Sequence, residues 1–227
     1  MKLISNSTIR EYQDFIKAVY GKSNAQHFNS DDMLVNVERF LMRAIKGIRK
    51  EDKAKTIENV FISMSWFMSL MNQYHIDVED IVWNRFPYLC SYCGSVPCSC
   101  KKVKVENRKA IVVDESKRPH TIREFQTMFW KIYPPEGRTP EHAGIHLAEE
   151  MGELSEAFLA FKGTHSDADF ANIILESSDL VSCFFSVCNS FGIDIADEFS
   201  KRYSENCHIC HELPCSCTFS YIMAYKS

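Results

Sequence analysis

An internal repeat is the feature of this 227-residue chain that most restricts its fold. Residues 8–13 read TIREYQ, and residues 121–126, 113 positions later, read TIREFQ. Two later segments recur in the same order, each 117 positions on: IDVED at 76–80 as IDIAD at 193–197, and CSYCGSVPCSC at 90–100 as CHICHELPCSC at 207–217. Three ordered matches across nearly the whole length predict a tandem duplication, with four extra residues in the second copy.

Each copy is predicted to be all-α, with four helices followed by a cysteine-rich end. Thr8 with Glu11, and Thr121 with Glu124, have the spacing of a capping box that begins a helix. The apolar residues of the second copy recur three or four positions apart, as on the buried face of a helix. They are Leu147, Met151, Leu154, Phe158 and Phe161.

The repeat predicts the domain organisation. Residues 1–100 form the first copy, 101–118 a charged linker, 119–217 the second copy, and 218–227 a C-terminal tail. The linker's alternation from Val103 to Val113 permits a short strand. Its basic residues are expected to be solvated.

Each copy ends in four cysteines with the spacing C-x-x-C-x4-C-x-C. They are Cys90, Cys93, Cys98 and Cys100 in the first copy, and Cys207, Cys210, Cys215 and Cys217 in the second. Four thiolates in so short a segment favour a closed, structural Zn²⁺ site, here two of them. Disulfides or an iron–sulfur cluster are the alternatives. Because the chain begins with no apolar leader, a reducing cytoplasm is the expected location.

Five carboxylates of the second copy occupy two consecutive predicted helices. Glu149, Glu150 and Glu153 lie on the first, and Glu176 and Asp179 on the second. Residues three or four apart share a helix face, so each set points one way. No basic residue stands four positions from Glu176 or Asp179, and we therefore expect a hard divalent cation, Mg²⁺ or Mn²⁺, to offset the repulsion.

With this spacing the second copy resembles the all-α NTP pyrophosphatases, the superfamily of MazG-like proteins and dimeric dUTPases. The superfamily motifs Glu-Glu-x-x-Glu and Glu-x-x-Asp read here as EEMGE at 149–153 and ESSD at 176–179. The resemblance covers about residues 119–206 and, more faintly, the first copy. It implies that the two copies form a pseudo-dimeric helical bundle.

The resemblance also implies an activity. Mg²⁺ would be held by Glu150, Glu153, Glu176 and Asp179, and water would attack the α-phosphorus of a nucleoside or deoxynucleoside triphosphate, giving the monophosphate and pyrophosphate. Glu149 is the candidate general base, with second-metal ligand as its alternative role.

Further residues are candidate substrate contacts. His146 shares a helical stripe with two of the carboxylates, and Lys162 ends the same helix. The superfamily carries basic residues for phosphate near Lys201 and Arg202, and an asparagine near Asn206.

The first copy lacks all five carboxylates. Asn36, Val37 and Phe40 stand opposite the first three at the 113 offset, and Asn59 and Ile62 opposite the last two at the 117 offset. The first copy is therefore predicted to be an inactive partner domain whose former site is packed.

Other functions stay open. A non-catalytic, zinc-stabilised helical adaptor would also explain the cysteines, and another pyrophosphate, such as phosphoribosyl-ATP, a nucleotide sugar or an alarmone, could be the substrate. The net charge of -4 argues against nucleic-acid binding, and no segment predicts a membrane span. A nucleotide is thus the expected partner, and homodimerisation is left undecided.

Overall fold

The computed structural model describes residues 2–103, 106–203 and 205–225. Within these ranges the chain is helical and contains no β-strand, which confirms the all-α prediction. The α-helices are α1 (Ile9–His27), α2 (Ser30–Arg49), α3 (Lys53–Gln73), α4 (Val78–Arg85), α5 (Ile122–Ile132), α6 (Pro140–Thr164), α7 (Asp167–Ser190), α8 (Ile195–Arg202) and α9 (Phe219–Ala224).

Several predicted segments extend beyond the described residues. Met1 and Ser204 belong to the predicted copies, Lys104 and Val105 to the linker, and Lys226 and Ser227 to the tail, and all six lie outside the described residues. The described part of the stretch from Val103 to Val113 holds no strand.

Local sequence sets the helix ends as expected. Both capping boxes form: Thr8 and Thr121 each accept a hydrogen bond from the backbone N–H of the glutamate three residues on, and that glutamate's side chain accepts one in return. Thr139 caps α6, with Pro140 in its first turn. Gly192 follows α7 with a φ of +61°, a conformation that glycine adopts without steric cost.

The chain forms two compact units that do not coincide with the sequence copies. Unit 1 comprises Met1–Val78 and Ala196–Ser227, and unit 2 comprises Glu79–Ile195. Unit 1 therefore contains α1–α3 with nearly all of α8, the second cysteine cluster and α9. Unit 2 contains nearly all of α4, the first cysteine cluster and α5–α7. Each three-helix set is completed by the fourth helix and cysteine cluster of the other copy.

In unit 1 the borrowed segment is part of the core. The ring of Phe199 on α8 stacks on Tyr12 of α1, with centroids 3.8 Å apart. Tyr203 is fully buried, and its hydroxyl lies 2.8 Å from that of Ser65 on α3. The second cysteine cluster is joined to α1 by a hydrogen bond of 2.8 Å from the Cys215 N–H to the Val19 carbonyl.

Unit 2 is built in the same way. Phe86, directly after α4, packs edge-on against Phe129 of α5 at 5.2 Å between centroids. Trp83 of α4 is fully buried, and its indole N–H donates to Glu115. The Cys98 N–H donates to the Ile132 carbonyl at 2.8 Å, the repeat equivalent of the bond between Cys215 and Val19.

A glutamine of the first helix, buried in unit 1 and half-buried in unit 2, holds the chain where it leaves each unit. In unit 1, Gln13 Nε2 donates to the Ile76 carbonyl at 2.7 Å, and its Oε1 accepts from the Val78 N–H at 3.0 Å. In unit 2, Gln126 makes the equivalent pair of bonds to Ile193 and Ile195. The turn before the next helix leaves one backbone C=O and one backbone N–H without helical partners. The side-chain amide of each glutamine forms hydrogen bonds with both of these groups.

Helix α7 is long and apolar enough to cross a membrane by length and composition, but 61% of its most apolar window is buried inside the protein. A helix that is apolar on most sides belongs to the core of a globular unit when it is enclosed in this way.

Replacing Gln13 by Leu is predicted to lower the free energy of unfolding by about 2–5 kcal/mol, because it leaves a buried N–H and a buried C=O unpaired. Urea denaturation would measure the change. Gln26→Leu, on the exposed side of α1, is the control and should change stability by less than about 0.5 kcal/mol. Equal stability of the two variants would contradict a structural role for the buried glutamine.

Candidate functional site

Three carboxylates converge within unit 2. Glu150 comes from α6, and Glu176 and Asp179 come from α7. Each offers a carboxylate oxygen, and these oxygens lie within 4.8 Å of one another. The two helices are brought together by buried apolar residues, among them Leu147 and Leu154 of α6, so the carboxylates border a packed helix pair.

Glu150 is the least satisfied of the three. Its Oε2 atom is buried and has no hydrogen-bond partner within the described residues. Burial, and then the neighbouring charges of Asp179, Glu153 and Glu176, raise the pKa of Glu150 to about 8, although Arg85 opposes the effect. Burial, then Asp179 and Glu153, raise the pKa of Glu176 as well. A divalent cation relieves this kind of repulsion.

Asp179 has a basic partner that its sequence neighbours do not reveal. Arg85 Nη2 donates to Asp179 Oδ2 at 2.6 Å and Arg85 Nε to Oδ1 at 3.1 Å, and the side chains are only 12% and 14% exposed. Arg85 comes from α4, 94 positions away, so the absence of a basic residue four positions from Asp179 did not reveal this partner.

Arg85 is the repeat equivalent of Arg202, the arginine proposed from the superfamily resemblance: the two stand 117 positions apart. Arg202 lies at the end of α8 and belongs to unit 1, whereas the carboxylates belong to unit 2. Because the fourth helices are exchanged, Arg85 is the arginine that reaches them. The repeat offset was the signal that could have found it.

Lys201 and Asn206 also belong to unit 1. Lys201 Nζ pairs with Glu198 on the same helix at 3.0 Å, and Asn206 donates to the His211 carbonyl within the second cysteine cluster at 3.1 Å. Within the described contacts of unit 2, neither contributes to the carboxylate group.

Two more predicted residues stand beside the three carboxylates. Glu153 is exposed and raises the pKa values of Glu150 and Glu176, but its oxygens are not part of the close group. Glu149 is exposed too, with one oxygen 3.5 Å from His146 Nδ1. Lys162 lies twelve residues beyond Glu150, about 18 Å along the axis of α6.

The linker lies within unit 2, and most of its described basic residues are exposed as expected, whereas Arg118 is partly buried. The guanidinium of Arg108 lies 5.7 Å from the centroid of the Tyr92 ring and opposes the raised pKa of Glu176. Lys101 donates to the Gly137 carbonyl. Arg118 pairs with Asp80 on α4.

The cysteines form two compact groups of four, as their spacing predicted. In unit 2 the sulfur atoms of Cys90 and Cys100 are 3.8 Å apart, and those of Cys93 and Cys98 are 3.9 Å apart. In unit 1 the corresponding distances are 4.0 Å and 3.8 Å, for the pairs Cys207 with Cys217 and Cys210 with Cys215.

These distances fit one metal ion per group. Four sulfurs placed about 2.3 Å from a tetrahedral Zn²⁺ stand about 3.8 Å from one another. A disulfide would bring two sulfurs to about 2.05 Å, and all ten cysteines are free thiols here. The geometry therefore favours a single ion over disulfides.

One cysteine in each group has a lowered thiol pKa. Burial opposes ionisation of Cys93, but hydrogen bonds from Ser95 and Ser99 outweigh it and lower its pKa to about 5. Burial raises the pKa of Cys210 too, but hydrogen bonds that include those of Ser216 and Glu212 have the larger combined effect. They lower the pKa of this thiol to about 6. A thiolate is the form that binds a metal.

The equivalent positions of unit 1 hold no carboxylate. Asn36, Val37, Phe40, Asn59 and Ile62 are all buried. The two asparagine amides donate to carbonyls four residues earlier in their own helices, at 2.9 Å and 2.7 Å. The loss of carboxylates in the first copy is thus accommodated by buried, satisfied side chains.

Comparison of this chain with protein-family models, curated proteins and solved structures finds no match. The likeness to the all-α NTP pyrophosphatases is therefore a resemblance of motifs.

The cysteine geometry predicts about two zinc ions per chain in protein purified under reducing conditions, measurable by inductively coupled plasma mass spectrometry. The Cys210→Ser variant should retain one zinc ion, because it loses a ligand of the second cysteine group only. Cys188→Ser, at a buried cysteine of α7 outside both groups, should retain two. Absence of zinc, or iron in its place, would contradict the assignment.

The raised pKa of Glu150 predicts a pH-dependent stability in metal-free protein. Since the folded-state pKa of about 8 exceeds the unfolded value of about 4.5, the group favours folding fully below pH 4.5, and this contribution is lost as pH rises through 8. Glu150→Gln, which stays neutral, should therefore be more stable than wild type above pH 8, by at most about 5 kcal/mol and by less to the extent that solvent screens the charge.

Thermal and urea unfolding between pH 5 and 9 in a chelator would measure this difference. The control is Glu156→Gln, at an exposed glutamate of the same helix, which should follow the wild-type pH profile. A Glu150→Gln variant no more stable than wild type at high pH would show that Glu150 carries no electrostatic strain.

Proposed function

We propose that unit 2 is a Mg²⁺- or Mn²⁺-dependent pyrophosphohydrolase that cleaves a nucleoside or deoxynucleoside triphosphate to the monophosphate and pyrophosphate. The observation that carries the proposal is the close group of Glu150, Glu176 and Asp179, with its buried, unpartnered Glu150 oxygen, beside a semi-buried arginine. Such an arrangement suits a phosphorylated substrate accompanied by a cation.

The three converging carboxylates would hold the cation, with Glu153 as a fourth ligand when its exposed side chain turns inward. Oxygen ligands of this kind match Mg²⁺, and no sulfur or imidazole belongs to the close group. When bound, the ion would neutralise charge that develops on the phosphates.

Arg85 would bind the substrate's phosphate. Its guanidinium is held beside the carboxylates by Asp179, which raises its pKa and keeps it charged, as does Glu176, although burial acts in the opposite direction. Its planar donors match phosphate in a bidentate manner. In this proposal Arg85 gives up part of its contact with Asp179 when the phosphates arrive.

Glu149 would orient the attacking water and accept its proton. Its side chain is 59% exposed and so can reach a water molecule, and His146 lies 3.5 Å away to position it. Burial, then Arg138, lower the pKa of His146, which favours the neutral ring.

The proposed biological setting is removal of unwanted nucleotides from the cytoplasmic pool, with all turnover in unit 2. Pairing of the two copies as a pseudo-dimer rests on the superfamily resemblance alone.

One observation favours the adaptor alternative. The ion pair between Arg85 and Asp179 offsets one of the three negative charges without any metal, as expected if the acidic group had only a structural role. Activity measurements separate the two functions.

The decisive assay is a panel of all NTPs and dNTPs, including dUTP, with Mg²⁺ or Mn²⁺, in which pyrophosphate and monophosphate are quantified. At least one substrate should be cleaved, and Glu150→Gln and Glu153→Ala should each abolish cleavage. Glu156→Gln should cleave like wild type. A protein inert across the panel with either ion would favour the adaptor.

Arg85→Lys is predicted to lower kcat/KM about tenfold or more, because lysine keeps the charge but loses the bidentate geometry. The matched control is Arg123→Lys, at an exposed arginine of unit 2 that pairs with Asp194, and it should leave kcat/KM within about twofold. Equal values for the two variants would exclude a substrate role for Arg85.

A further inference from the structure

Arg138 is a half-buried arginine in the segment between α5 and α6 of unit 2. Its Nη1 donates to the Ser186 hydroxyl of α7 at 3.3 Å, and its guanidinium lies 5.2 Å from the centroid of the Tyr133 ring. Among the described residues no carboxylate forms an ion pair with Arg138, whereas Arg85 and Arg118 of the same unit are each paired with an aspartate. The Arg138 guanidinium is thus held in place while its charge stays available to an anion.

The serine that holds Arg138 lies on the same face of α7 as the carboxylates. Ser186 follows Asp179 by two helical turns, about 10.5 Å along the helix axis. Cys183 lies between them on α7 and is affected by both groups. Burial raises the pKa of its thiol most, the charge of Glu150 raises it further, and the charge of Arg138 lowers it. Arg138 is therefore a near neighbour of the acidic group, on the side of it that faces the end of α7.

The two units differ in the charge of the group that contacts this serine. Ser69 is the repeat equivalent of Ser186 at the 117 offset, and Ala25 stands opposite Arg138 at the 113 offset. In unit 1 the Ser69 hydroxyl accepts a hydrogen bond from the neutral side-chain amide of Asn24 at 2.9 Å. The serine is thus contacted by a neutral group where the carboxylates are missing and by a cation where they are present. The fold does not require a positive charge here, so the charge of Arg138 is best explained by function.

The positions of the two arginines divide the phosphates of a substrate between them. Arg85 lies at the carboxylates, where a cation would hold the phosphate that is attacked, and Arg138 is held two helical turns further along α7. A guanidinium matches the geometry of phosphate oxygens and stays charged at any physiological pH.

We propose that Arg138 is a second phosphate-binding residue, which holds the part of the substrate that leaves as pyrophosphate. This inference rests on the proposed function and specifies its substrate class. The substrate would be a chain of phosphates with a free, charged end, rather than a nucleotide sugar, in which the last phosphate is esterified and carries less charge.

Calorimetry on the full chain with Mg²⁺, using inorganic pyrophosphate and orthophosphate as probes, tests this role without any turnover. Wild type should bind pyrophosphate more tightly than orthophosphate. Arg138→Gln should weaken pyrophosphate binding about tenfold or more, because charge-assisted hydrogen bonds are lost, and should leave orthophosphate binding within about twofold. Arg138→Lys, which keeps the charge but not the planar fork, should give an intermediate affinity for pyrophosphate. Arg123→Gln, at the arginine paired with Asp194, is the control and should bind both anions like wild type.

Thermal unfolding would show that the Arg138 variants remain folded. The proposal is overturned if wild type does not bind pyrophosphate at millimolar concentration, if Arg138→Gln binds it as tightly as wild type, or if this variant weakens both anions equally, as a general loss of structure would. Pyrophosphate binding that depends on Arg138 in a protein that cleaves no nucleotide would support the phosphate-binding role and refute the hydrolase. Cleavage of triphosphates with unchanged pyrophosphate binding in Arg138→Gln would do the reverse.

Discussion

The ion pair between Arg85 and Asp179 connects the architecture of this protein to its chemistry. It is largely buried, it is bidentate, and it joins α4 to α7, helices that come from different copies of the repeat. Removing either residue would leave the charge of its partner unpaired, and an unpaired charge is costly inside a protein. The acidic group of unit 2 thus depends on a helix that the sequence places in the first copy, which lacks the five carboxylates.

The two compact units show what the repeat preserves and what it has changed. Both keep a capping box, a glutamine of the first helix that bonds to the turn before the exchanged helix, and a four-cysteine group hydrogen-bonded to the first helix of the other copy. Unit 2 adds repelling carboxylates that reduce its own stability, as the raised pKa of Glu150 indicates. In unit 1 buried asparagine and apolar residues replace them, so the fold itself does not require the acidic group. A costly feature restricted to one copy is best explained by function.

The helices and the cysteine groups were predictable because their signals are local. Capping residues, apolar spacing and four closely spaced cysteines act within a few residues of one another, and Thr8 and Thr121 form the predicted capping boxes. The exchange of the fourth helices is a long-range property, since either copy could have closed on its own segment with the same local sequence. Arg85 was missed for that reason, and its repeat equivalent Arg202 was chosen instead.

The most direct test of the account is a crystal structure with Mn²⁺ and a non-hydrolysable deoxynucleoside triphosphate, with the metal located by anomalous scattering. The account predicts manganese among Glu150, Glu176 and Asp179, with the triphosphate beside Arg85, and no manganese at the positions of Phe40 and Ile62. Manganese absent from the three carboxylates at saturating concentration, or a triphosphate bound elsewhere, would contradict it.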